Sequence, residues 1–124
     1  MILCDTNILI HYFNNYQSTI ESFDNNCREN VVLPAIVVMG LYRGMGNKTE
    51  LFDMRRKLSF YRIIQLYETI SAEAIQLIEV FKLSYNLHIP DALIGATAVV
   101  SGIPLFTYNT KDFAFTPGLN LCRP

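Results

Sequence analysis

The sequence contains no tryptophan, no closely spaced cysteine pair and no surplus of positive charge. Cys4, Cys27 and Cys122 are odd in number and far apart, which argues against a disulfide framework or a zinc site and reads as reduced, mostly buried thiols of a cytoplasmic protein. Ten Lys and Arg against eleven Asp and Glu give a formal net charge of -1. Nucleic-acid affinity usually comes from basic side chains that release counterions, so a general nucleic-acid coat protein is disfavoured. Any such role must depend on a local site. The longest apolar run, Ala92 to Val100, is far short of the roughly 20 residues a membrane span needs. No basic leader precedes Asp5, so no signal peptide is expected. The 51% hydrophobic and 17% charged content is that of a chain that buries a core. Its Pro and Gly are scattered, with no linker or repeat, which predicts one domain over residues 1–124.

Short apolar runs alternate with helical periodicity. Ile2-Leu3-Cys4 reads as a buried strand, and the apolar spacing of Ile8, Leu9, Tyr12 and Phe13 reads as a helix capped by Asp5 or Thr6. A second helix is expected from Ser18 to Asn26, a second strand at Val31-Val32-Leu33, and a helix from Pro34 to about Gly44. Another helix is expected over Thr49 to Phe60, with Leu51, Met54 and Leu58 on its inner face. Ile63-Ile64 predicts a third strand. Ser71 is expected to cap an amphipathic helix carrying Ala74, Leu77, Ile78 and Phe81. Pro90 opens a helix that stops at Gly102. Leu105-Phe106 predicts a fourth strand, Asn109 to Asp112 a polar turn, and Leu119 to Cys122 a possible fifth strand. This alternation predicts an α/β fold with a mostly parallel sheet of about four or five short strands flanked by helices.

In open parallel sheets ligands bind beyond the carboxyl ends of the strands. Asp5 ends the first strand, the Asn109–Asp112 turn follows the fourth, and Asp91 opens the helix leading to it. Each acid has a plainer reading: a helix cap for Asp5, a dipole partner for Asp91, a capping-box turn acid for Asp112. Gathered on one rim they would repel one another unless a cation lay among them. Oxygen donors of this kind suit magnesium or manganese.

These segments resemble the PIN-domain family, and within it the VapC toxins of bacterial toxin–antitoxin pairs. The resemblance rests on Met1 to Ile10, Leu41-Tyr42-Arg43-Gly44, Ile89 to Ala98, Leu105 to Phe113 and Pro117-Gly118-Leu119, in the family's order across nearly the whole chain. It implies a PIN-like three-layer fold and metal-dependent RNA cleavage. By the same resemblance Asp5, Asp91 and Asp112 match the metal-binding, catalytic acids, with Thr6, Asn109 and Thr107 as polar positions around them. The expected partners are a VapB-like antitoxin, an RNA substrate, operator DNA through the antitoxin alone, and a second copy of the chain. The first helices and the helix after Gly44 would form a groove for an antitoxin's helical tail.

One family position departs. Members usually carry Glu in Glu-Leu-x-x-Gly, and this chain reads Gly40-Leu41-Tyr42-Arg43-Gly44. Three accounts compete: a natural inactive member, a variant selected because the active toxin harms its host, or a reshaped site in which another acid serves, Glu50 being the nearest downstream. The sequence therefore predicts a weakened ribonuclease, with a non-catalytic PIN-fold partner of an operator-binding antitoxin as the alternative. A receiver-like signalling domain would need a second acid beside the first strand, which Ile2-Leu3-Cys4 lacks. Arg43, Lys48, Arg55, Arg56 and Lys57 read as a solvated basic face that is also able to guide RNA. His11 and His88 read as structural, and Tyr12, Phe13, Tyr16, Phe52, Phe60 and Tyr61 as core or interface residues.

Overall fold

Four short strands lie side by side, all parallel, in the order β3-β2-β1-β4. They are β1 (Ile2–Cys4), β2 (Val31–Pro34), β3 (Arg62–Ile64) and β4 (Leu105–Phe106). The computed structural model describes residues 1–26 and 30–122, so Cys27 lies outside the described residues. Cys4 is buried and Cys122 half-buried, and neither is in a disulfide among the described residues. Every residue of β1, β2 and β4 is buried, because helices cover both faces of the sheet and leave no solvent side to alternate toward. β3, at one edge of the sheet, is partly exposed.

The helices are α1 (Thr6–Phe13), α2 (Gln17–Asn26), α3 (Ala35–Arg43), α4 (Lys48–Leu58), α5 (Glu68–Tyr85) and α6 (Ile89–Ser101). The main core joins the sheet to Ile8 and Leu9 of α1, Phe23 of α2, Val37 and Leu41 of α3, Met54 and Leu58 of α4, and Ile94 and Ala98 of α6. A second cluster, Ile70, Ala74, Leu77, Leu87, Ala92 and Ala96, joins α5 to α6. Full burial of a Leu, Ile or Phe side chain contributes about 1.5–3 kcal/mol, so these two clusters fix the arrangement.

Several local expectations shift. Pro34 closes β2 and acts as the N-cap residue of α3, so its extended backbone, with ψ 141, serves the strand before the helix. Leu51 is 40% exposed, and only Met54 and Leu58 of the expected trio are buried. Ser71 does not cap α5. The helix starts about a turn earlier, after Tyr67, because Ile70 already belongs to the buried stripe and is wholly enclosed. In place of a fifth strand, Leu121 makes a single parallel bridge to Leu105, with Leu105 N–H donating to Asn120 O and Cys122 N–H donating to Leu105 O. Gly102 ends α6 at φ 69, the left-handed conformation that closes a helix most cheaply when no Cβ is present.

Candidate active site

The strand order places a switch point between β1 and β4, the two strands whose carboxyl ends carry Asp5 and Thr107. Asp5 is 5% exposed. Its Oδ1 accepts from the Thr6 backbone N–H at 2.7 Å as α1 begins, so its role as a cap is real. Its Oδ2 accepts from the Thr107 hydroxyl at 2.7 Å, across the two strands. Thr107 is itself buried and accepts from the Asn109 backbone N–H at 3.0 Å, which links the turn to the carboxylate.

Asp91 sits half-buried in the first turn of α6, and Asp112 lies exposed in a 3₁₀ turn at Thr110–Asp112. Burial pushes the Asp5 carboxyl above its usual 3.8; the Thr107 and Thr6 hydrogen bonds oppose the rise, and the Asp112 charge adds to it. Burial likewise raises Asp91, followed by the charges of Asp112 and Asp5, while His88 pulls the other way. Three acids distant in sequence are thus brought to one rim, where the Asp112 charge acts on both Asp5 and Asp91. They do not form a ready cage: among the described residues no three His, Cys, Asp or Glu side chains are grouped to hold a metal ion. The donor set fits a hard cation held by one or two carboxylates, with water in the other positions, as magnesium commonly is.

Gly40 lies exposed on α3 and faces this rim. A Cβ built there would meet the Thr6 Oγ1 at 3.7 Å, ordinary contact with no clash. The position is open to a side chain that this chain does not supply. Glu50 does not replace it: its Oε1 accepts from the Gly46 N–H at 2.7 Å, and its own N–H donates to the Asn47 Oδ1 at the start of α4. Asn109 makes no side-chain cap bond, so the capping-box reading of the Asn109–Asp112 turn is not realised.

Lys48, Arg55, Arg56 and Lys57 of α4 are exposed, as a solvated face would be, and two of them lie near aromatic rings. Lys57 lies 5.3 Å from the Phe13 ring centroid and Arg56 6.0 Å from Phe52. α1 and α4 flank a cleft of about 330 Å³ lined by Ile10, Phe13, Met45, Met54 and Lys57, among others, where a groove is expected. Of the aromatics, Tyr12, Phe13 and Tyr61 pack against the core, whereas Phe52 and Phe60 are exposed. His11 has no partner close by in the sequence. Its ring in fact packs against those of both Tyr16 and Tyr108. His88 precedes α6 as its N-cap residue.

A family model for the PIN domain matches residues 2–118, and the chain belongs to that family. Within it the likeness is to VapC-type toxins. A chain of a toxin–antitoxin complex from Klebsiella pneumoniae matches with a TM-score of 0.79 and 31% identity, over 96% of this chain and 95% of that one. FitAcB from Neisseria gonorrhoeae matches with a TM-score of 0.80 and 25% identity, over 100% and 98%. VapBC2 from Rickettsia felis, solved on a DNA fragment from its promoter, shares the fold with a TM-score of 0.77 at 23% identity, over 98% of each chain. No curated protein matches by sequence.

Proposed function

We propose that the chain is a divalent-metal-dependent endoribonuclease toxin of a toxin–antitoxin pair, weakened by glycine at position 40. The observation that carries this reading is Asp5, buried at the switch point with both oxygens ordered by Thr6 and Thr107, and sharing its rim with Asp91 and Asp112. A bound magnesium or manganese ion would supply a water of lowered pKa and offset charge on the phosphate oxygens. The ligands in this reading are Asp5, Asp91 and Asp112. Thr107 and Thr6 hold the Asp5 carboxylate in one orientation, and burial keeps that carboxylate dry enough for its charge to act strongly. In this reading Thr6 and Asn109 help to position the RNA backbone phosphate.

The partner in this reading is an antitoxin whose helical segment fills the cleft between α1 and α4, and operator DNA is reached only through it. The exposed Ile75, Val80 and Leu83 of α5 offer a face for a second copy of the chain. Among the described residues no helix is long and apolar enough to cross a membrane, in keeping with a cytoplasmic site of action. Gly40 favours one other reading: a non-catalytic partner that acts with its antitoxin as operator co-repressor. Cleavage of structured RNA in magnesium or manganese separates them. The toxin reading expects slow cutting by this chain, much faster cutting by Gly40→Glu, and none by Gly40→Glu carrying Asp5→Asn. Equal inactivity of all three leaves the co-repressor reading.

A further inference from the structure

An aromatic patch adjoins the carboxylates on the side formed by α1 and α2. The His11 ring, in the last turn of α1, lies 4.4 Å from Tyr16 and 5.1 Å from Tyr108, centroid to centroid. Tyr16 is fixed by the backbone. Asn15 turns left-handed at φ 61, its N–H donates to Tyr12 O at 3.1 Å, and the Tyr16 N–H donates to His11 O at 3.0 Å. This helix ending folds the next side chain back onto the last turn. Tyr108 is fixed twice, by a hydrogen bond between its hydroxyl and that of buried Thr19, and by its N–H donating to the Asn7 Oδ1 at 3.5 Å. Both rings nevertheless stay open to solvent, Tyr16 at 52% and Tyr108 at 41%.

Tyr108 follows Thr107, which binds Asp5, and Asn7 lies one residue past Thr6, so the patch and the acids share one rim. The net charge of -1 and the carboxylates themselves deny this rim the cationic attraction that usually holds RNA. Stacking on fixed aromatic rings supplies affinity that needs no positive charge and loses little side-chain freedom on binding. It requires a base released from its pair.

We infer that Tyr16 and Tyr108, with His11 packed against both, form a stacking platform for an unpaired nucleobase next to the phosphate held at Asp5. The site therefore selects single-stranded segments of RNA. This rests on the nuclease reading above.

The test is fluorescence anisotropy of a labelled single-stranded RNA, with calcium in place of magnesium to limit cutting. Tyr16→Leu is expected to weaken binding roughly five- to hundredfold, and Tyr16→Phe to bind as the parent does. An abasic site at the stacked position is expected to weaken the parent and to abolish the difference between parent and Tyr16→Leu. A merely structural tyrosine would not show that dependence on the base. Thermal melting confirms that each variant is folded. The platform is overturned if Tyr16→Leu binds like the parent, if its loss persists at every abasic position, or if duplex RNA binds as tightly as single strands. Should Tyr16→Leu bind and cut RNA normally, the platform falls and the nuclease reading stands. Should neither the parent nor Gly40→Glu bind or cut RNA, both fall.

Discussion

Replacing Gly40 by alanine and by glutamate separates the cost of the missing side chain from the chemistry of the missing acid. Gly40 occupies the interior of α3 with room for a Cβ, the nearest atom being the Thr6 Oγ1 at 3.7 Å. Glycine in such a position costs about 1 kcal/mol relative to alanine. For a chain of 124 residues, Gly40→Ala should therefore raise Tm by about 4 °C. Glutamate is nearly as good a helix former, but its charge lies near the carboxyl end of α3, which costs about 0.3–1 kcal/mol, and it approaches Asp5, Asp91 and Asp112. In chelator, Gly40→Glu is expected to melt close to the parent and below Gly40→Ala. With magnesium present, the proposed metal site is expected to reverse that order. An ion present at 100 times its Kd adds about 2.7 kcal/mol, about 10 °C by the same conversion, and the gain should be largest for the glutamate form. Differential scanning calorimetry with and without magnesium reads every arm. The reasoning is refuted if Gly40→Ala destabilises, or if Gly40→Glu gains no more from magnesium than Gly40→Ala does.

Asp5→Asn should flatten the pH dependence of stability in metal-free buffer. Burial raises the Asp5 carboxyl in the folded chain above its usual 3.8, so folding favours the protonated form; that contribution is complete below the usual value and is lost as pH rises through the elevated one. Urea titrations from pH 3.8 upward should show the parent losing stability that Asp5→Asn keeps, and parallel curves would contradict the assignment. Thr107→Val removes a buried donor to a carboxylate at 2.7 Å and should destabilise by about 1.5–3 kcal/mol. Urea denaturation showing under 0.5 kcal/mol would mean the bond contributes little.

The order of strands and helices was legible because each strand is short and, apart from Arg62 at the start of β3, apolar, while the helices carry a repeating inner stripe. Boundaries were less so. Ser71 looked like a cap because serine favours that role, yet the burial of Ile70 extended α5 toward its start. Leu51 matched the inner period of α4 and still faces solvent, since spacing alone cannot say where a covering layer ends. At the site, Asp5 could be read from the abrupt change of strand to helix. The link from Thr107 to Asp5 could not, because it depends on the register that sets Cys4 beside Phe106, 102 positions later. The grouping of His11 with Tyr16 and Tyr108 required a left-handed Asn15 that no pattern announced.

The central position of β1 has a consequence for how the protein is made. Its neighbours enter at Val31 and, on the other side, only at Leu105. While the nascent chain is still emerging from the ribosome, Asp5 has no Thr107 to meet, and the strand that carries it has one open edge. The carboxylate rim is therefore among the last parts to assemble, and a half-translated chain holds no completed site.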